Sequence, residues 1–274
     1  MFTSFGGSSS YEKILEWLRK RTEELSSENT KSRYMSTPVL SKTMQKDLLE
    51  KAELLRANDS FKEAASTYLN SILLDRNNAE TYLGLGICYK NMGKINKAIE
   101  NLEKAALLDS NKFETFFELG LCHLKEEVPC KAIKCFIRAV EIEPDNPEAI
   151  YQLGRAHELC DEQDMALMIY QKLIENSPTY INAYLRKSTL FMKMELYKQA
   201  LGLYLNVLKI NPNYTNIYSE IGLCFDKLGK QTEAKRYYRK FLSAQPDAEN
   251  ANAILKRVEK LRQVKSKNPV LSLV

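Results

Sequence analysis

Six cysteines and two histidines are the side chains through which this 274-residue chain could hold a metal, cycle a redox couple or attack a carbonyl. Three of the cysteines recur in near-copies of one pentapeptide: "LGICY" at 85–89, "LGLCH" at 119–123 and "IGLCF" at 221–225. A metal or dithiol centre would call for short ligand spacings, and the chain has no C-x-x-C pair. Cys88 and Cys122 instead stand 34 residues apart, and Cys122 and Cys224 stand 102 apart, three times that interval. His123 and His157 are also 34 apart. The remaining cysteines, Cys130, Cys135 and Cys160, share no ligand-like spacing. "GLGICY" opens like a dinucleotide fingerprint, but Tyr89 stands where its third glycine belongs and no β-α-β pattern surrounds it. Phosphate loop, nucleophile elbow and zinc-helix motifs are missing. The expectation is a non-enzyme with no cofactor and no metal, in which the recurring cysteines mark architecture.

The elements that position these residues follow from the same interval. Ala64, Ala98, Ala132, Ala166, Ala200 and Ala234 form an unbroken series at 34. Pro144, Pro178, Pro212 and Pro246 form a second, and Gly86, Gly120, Gly154 and Gly222 a third, with Ala52 and Ser188 in its gaps. Tyr68, Leu102, Phe136, Tyr170, Tyr204 and Tyr238 form a fourth. Several residue classes in register at one period of 20–50 signal a repeat architecture. Within a unit, Tyr82, Leu85, Gly86 and Tyr89 fall at i, i+3, i+4 and i+7, one face of a helix. A turn at Gly93 and a second helix through Ala98, Leu102 and Ala105 complete it, and the proline series closes that helix.

Tyr82, Leu85, Gly86, Tyr89, Ala98, Leu102 and Ala105 resemble the signature of the tetratricopeptide repeat family, whose unit is a 34-residue helix–turn–helix. The resemblance implies an all-α fold, a right-handed α-solenoid of six stacked units at 45–78, 79–112, 113–146, 147–180, 181–214 and 215–248. Repeat 5 departs from the pattern, with Lys187 and Ser188 where its neighbours carry an aliphatic residue and glycine. Bulky Leu173, Val207 and Phe241 stand in repeats 4 to 6 where Ala105 and Ala139 stand in repeats 2 and 3, which predicts a different curvature in the second half.

The ends read differently. Residues 249–266 place Ala251, Ile254, Leu255, Val258, Leu261 and Val264 on one side and Lys256, Arg257, Lys260, Arg262 and Lys265 on the other. A terminal repeat needs a cap with a polar outer face, so this segment is expected to be the capping helix. Residues 1–43 read as an amphipathic helix over 11–25, with Trp17, followed by a linker over 26–43. Residues 267–274 read as a flexible tail whose Ser272-Leu273-Val274 has the form of a carboxylate-captured ligand, with chance the leading explanation. No apolar run reaches the ~20 residues of a bilayer span. With the cysteine pattern, this points to a reduced cytoplasmic setting.

Charge is uneven. Residues 113–180 hold six Lys/Arg against thirteen Asp/Glu, and 181–274 hold seventeen against seven. Nucleic acid and membrane are the lesser readings of the basic end, because the position after the last repeat already accounts for the apolar side of the terminal helix. In tetratricopeptide arrays a second face of the first helix lines a concave groove. Its positions here are Leu83, Ile87, Phe117, Leu121, Leu124, Tyr151, Arg155, Leu185, Thr189, Met192 and Leu223, with Asn216 and Ser219. Two known specificities of the family fail at their own positions. The carboxylate clamp would need Lys and Asn where Leu49, Glu53, Gly84, Glu114 and Glu118 stand. The asparagine ladder meets Glu50, Gly84, Glu118, Gln152, Arg186 and Glu220. The expected function is a scaffold that binds a peptide or helical segment of a partner protein in the groove. A chaperone-like holder of an apolar segment and a regulatory subunit of an enzyme complex are the alternatives.

Overall fold

The computed structural model describes residues 37–266, and the side chains of 42–261 among them. The expected helix at 11–25 and the tail at 267–274 lie outside the described residues. All regular structure among the described residues is helical, in thirteen α-helices and one short 3₁₀ turn. The described chain divides into a unit ending at Asn77 and a second beginning at Asn78.

The first unit pairs α1 (Thr37–Ala57) with α2 (Phe61–Leu74). Residues 37–43, expected as linker, belong to helix α1. Ala52, Ala64 and Tyr68 are fully buried, and the Tyr68 hydroxyl donates to Glu53 Oε1 at 2.7 Å.

The second unit contains five helix pairs and a closing helix. The pairs are α3 (Ala79–Asn91) with α4 (Ile95–Leu108), α5 (Phe113–Lys125) with α6 (Pro129–Ile142), and α7 (Pro147–Leu159) with α8 (Gln163–Asn176). They continue with α9 (Ile181–Lys193) and α10 (Tyr197–Ile210), then α11 (Tyr218–Lys227) and α12 (Gln231–Ala244). Helix α13 (Ala251–Ser266) follows. Packing runs chiefly between helices adjacent in sequence, as an α-solenoid requires.

The glycine series works by contact. A Cβ at Gly86 would meet Leu102 at 2.6 Å, one at Gly120 would meet Phe136 at 2.5 Å, and one at Gly154 would meet Tyr170 at 2.6 Å. Gly222 and Tyr238 repeat the arrangement at 2.5 Å. In these four repeats the glycine of the first helix therefore receives the large residue of its own second helix. In repeat 5 the buried Ser188 turns its hydroxyl onto Tyr184 O at 2.6 Å, which satisfies the polar group inside the packing. Lys187 is also buried, donates to Gln171, and lies 5.6 Å from the centre of the Phe191 ring.

One further series is invisible in residue type. Asp59, Gly93, Glu127, Asp161, Glu195 and Gly229 all have φ between 58° and 76°, and they recur every 34 residues. At each, the next N–H closes back on the helix: Lys94 N donates to Tyr89 O, Val128 N to His123 O and Glu162 N to His157 O. This is the Schellman closure of a helix C-terminus. The prolines also behave as expected, since α6, α8, α10 and α12 end two residues before Pro144, Pro178, Pro212 and Pro246.

Candidate protein-binding face

The three recurring cysteines are packing residues. Cys88, Cys122 and Cys224 are fully buried, and burial, foremost, pushes the Cys122 and Cys224 thiols up to about 11. His123 and His157 are buried at the position that Tyr89, Phe191 and Phe225 hold elsewhere. His157 Nδ1 lies 2.6 Å from Glu162 Oε2. His123 Nδ1 has only Glu126 Oε2 at 3.7 Å, and burial holds its pKa below the ordinary histidine value. Among the described residues no group of three or more His, Cys, Asp or Glu is arranged to hold a metal.

The residues assigned to the second face of each first helix fall into three groups. Leu83 is only 8% exposed and belongs to the core around Leu102 and Leu119, so it offers little surface. Ile87, Phe117, Leu121, Leu124, Tyr151, Leu185 and Met192 are half-buried, each packed against a core cluster while keeping part of its surface open. Arg155 is half-buried and donates to Gln152 Oε1 at 2.8 Å. Thr189 and Leu223 are exposed. Of the two flanking polar positions, Asn216 is exposed and Ser219 is buried.

Aromatic side chains of the third and fourth repeats make close ring contacts. Phe113 and Phe117 stack with ring centres 5.4 Å apart, and Phe117 meets Phe136 edge-on at 5.9 Å. Tyr151 lies 5.5 Å from Tyr180 and 6.2 Å from Tyr170. Phe117, Leu121 and Leu124 of α5 pack on one core cluster together with Leu153 of α7, and Tyr151 of α7 packs on the next.

Several polar positions of the first helices are satisfied within the chain. Lys90 pairs with Glu118, and Gln152 donates to Glu148 Oε1 at 2.6 Å. Glu158 collects the Tyr170 hydroxyl at 3.2 Å, Arg186 at 3.6 Å and Lys193 at 3.7 Å. Asp226, one repeat pair later, takes the Tyr238 hydroxyl at 3.3 Å and both Nε and Nη2 of Arg257 at 2.6 Å. Residue 158 and residue 226 are thus the same structural device: a carboxylate that ties its own second helix to the next element. Sequence reasoning placed Arg257 on the free basic side of the capping helix, and the structure uses it to dock that helix. Two carboxylates 68 residues apart in a 34-residue repeat were the available signal.

Comparison with known proteins follows this geometry. Tetratricopeptide repeat models match residues 79–112, 148–180 and 215–248. The chain belongs to the tetratricopeptide repeat family. No curated protein matches it in sequence. Among solved structures it is similar to MamA, at 27% identity and a TM-score of 0.56, over 65% of this chain and 96% of that one. It is similar in fold to YrrB, described as a tetratricopeptide repeat protein with an unusual peptide-binding site, at 19% identity and a TM-score of 0.60 over 70% and 99%. PilF of Pseudomonas aeruginosa aligns at 12% identity with a TM-score of 0.64, over 79% and 99%. Among the described residues no helix is long and apolar enough to cross a membrane.

Proposed function

We propose that this repeat protein is a non-catalytic scaffold that holds a peptide or helical segment of a partner protein on the second face of its first helices, centred on α5 and α7. One observation carries the reading: Phe117, Leu121, Leu124 and Tyr151 keep apolar surface open beyond what their core contacts use. Around them Lys90, Glu118, Gln152 and Arg186 are occupied by partners in the chain. Affinity on this face therefore comes from apolar burial, and ionic capture of a terminal carboxylate has no free cation among those four positions to use. Leu83 takes part through packing and the exposed Thr189 and Leu223 through contact at the far end. The excess of Asp and Glu over 113–180 favours a segment whose apolar side chains are flanked by Lys or Arg. The peptide-binding site named for YrrB is in keeping with this use of the fold.

A peptide-display library selected on the full chain tests the reading. Selected sequences should be apolar with basic flanks and should bind the Phe117→Glu/Leu121→Glu variant at least tenfold more weakly. A Leu107→Glu variant, altered at an 86% exposed site on α4, should bind as the wild type does. Equal binding by the double variant, with its helical content intact, would remove α5 from the site.

A further inference from the structure

Cys130 and Cys160 are both free thiols, and their sulfurs lie 3.0 Å apart. A disulfide bond is about 2.05 Å long, so about 1 Å of movement separates contact from a covalent link. Cys130 is exposed in the first turn of α6, just after Pro129. Cys160 caps the C-terminus of α7, where its N–H is held by Ala156 O and His157 O at 3.1 Å each. The two belong to successive repeats and are 30 residues apart, one repeat period less about one helical turn. That interval brings the start of one second helix against the end of the next first helix. The equivalent pairs at the neighbouring junctions are Asn96 with Glu126, Asp164 with Met194 and Lys198 with Leu228, so only this junction carries two thiols. Cys135, the next thiol on α6, packs the other way, against the cluster around Leu102 and Cys122.

We propose that Cys130 and Cys160 form a reversible disulfide that clips the third repeat to the fourth through exchange with a low-molecular-weight disulfide. The Cys130 thiolate attacks one sulfur of the small disulfide; that S–S bond breaks, and the first small thiolate leaves and takes a proton. Cys160 loses its proton to solvent and attacks the Cys130 sulfur, forming the internal bond and releasing the second small thiolate. Two protein thiols are oxidised to one disulfide while one small disulfide is reduced to two thiols. Attack by Cys160 needs its thiolate, so ring closure quickens as pH rises. The clip would fix the end of α7, the helix that carries Tyr151 and Arg155.

The test uses the full reduced chain exposed to glutathione disulfide, quenched with acid and alkylated, then mapped by peptide mass. The wild type should lose two alkylatable thiols and yield one species linking Cys130 to Cys160. Cys160→Ser should instead accumulate a stable glutathione adduct on Cys130. A lasting adduct on wild-type Cys130 with no internal link would overturn the proposal. So would a bond from Cys130 to Cys135 or to a second chain, or retention of all the thiols. None of these outcomes depends on whether the face of α5 and α7 binds a peptide.

Discussion

Glu195 has φ of 59° in the turn between α9 and α10, and Asp59, Glu127 and Asp161 share that left-handed backbone. Any side chain with a Cβ is strained there by roughly 1–2 kcal/mol, while glycine is not. Glu195→Gly should therefore stabilise the chain by about 0.5–1 kcal/mol, part of the relief being offset by the freer unfolded chain. Gly93→Ala should lose a similar amount, and denaturant unfolding reads both. Sequence inspection found only Gly93 because the turn selects a dihedral and not a letter. The buried His123 makes a second residue-scale prediction. Its folded pKa lies below the ordinary value of 6.5, so the unfolded chain binds the proton more readily. The stability this contributes is present above pH 6.5 and is lost as pH falls from there toward the folded pKa. His123→Phe, the residue type of positions 191 and 225, should flatten the acid limb of the stability curve. An unchanged difference between pH 7.5 and pH 5 would place the sensitivity elsewhere.

At the scale of helices, the chain depends on small residues receiving large ones and on carboxylates that join successive elements. Gly154→Ala would set a Cβ 2.6 Å from Tyr170, whose hydroxyl is held by Glu158, and should cost about 1–3 kcal/mol. The closing helix offers a separate test. Asp226→Asn weakens the two-point contact with Arg257 and should cost about 1–2 kcal/mol, since the arginine is partly exposed. Hydrogen exchange should then quicken over residues 251–261 before it changes in α3 to α8. The pairing of Gly with Leu, Phe or Tyr was legible in sequence, because both series are written in residue type at one period. The carboxylate at 158 and 226 was not, because its partners come from different positions: Arg186 and Lys193 in one case, Arg257 in the other. The Cys130–Cys160 contact was hidden for a related reason, as its interval is that of neighbouring repeats and not the repeat itself.

Over the whole molecule, the repeat determined the all-α class from sequence, while the binding face was legible only as a set of positions. Burial then separated them: Leu83 went to the core, eight residues stayed half-open, and Thr189 and Leu223 stood exposed. Sequence could not make that division, because exposure depends on which neighbouring helix each side chain meets. The charge excess of 113–180 acts at this scale too, and its contribution to partner capture should weaken from 50 to 500 mM salt as screening shortens to a few ångströms. Apolar contact should persist over the same range. The most direct measurement is site-specific photo-crosslinking of a library-selected peptide. A photoreactive residue at 121 or 189, on the first helices, should capture the peptide, and one at 107 or 168, at exposed sites on second helices, should not. Capture from 107 or 168, with none from 121 or 189, would contradict the assignment of the binding face.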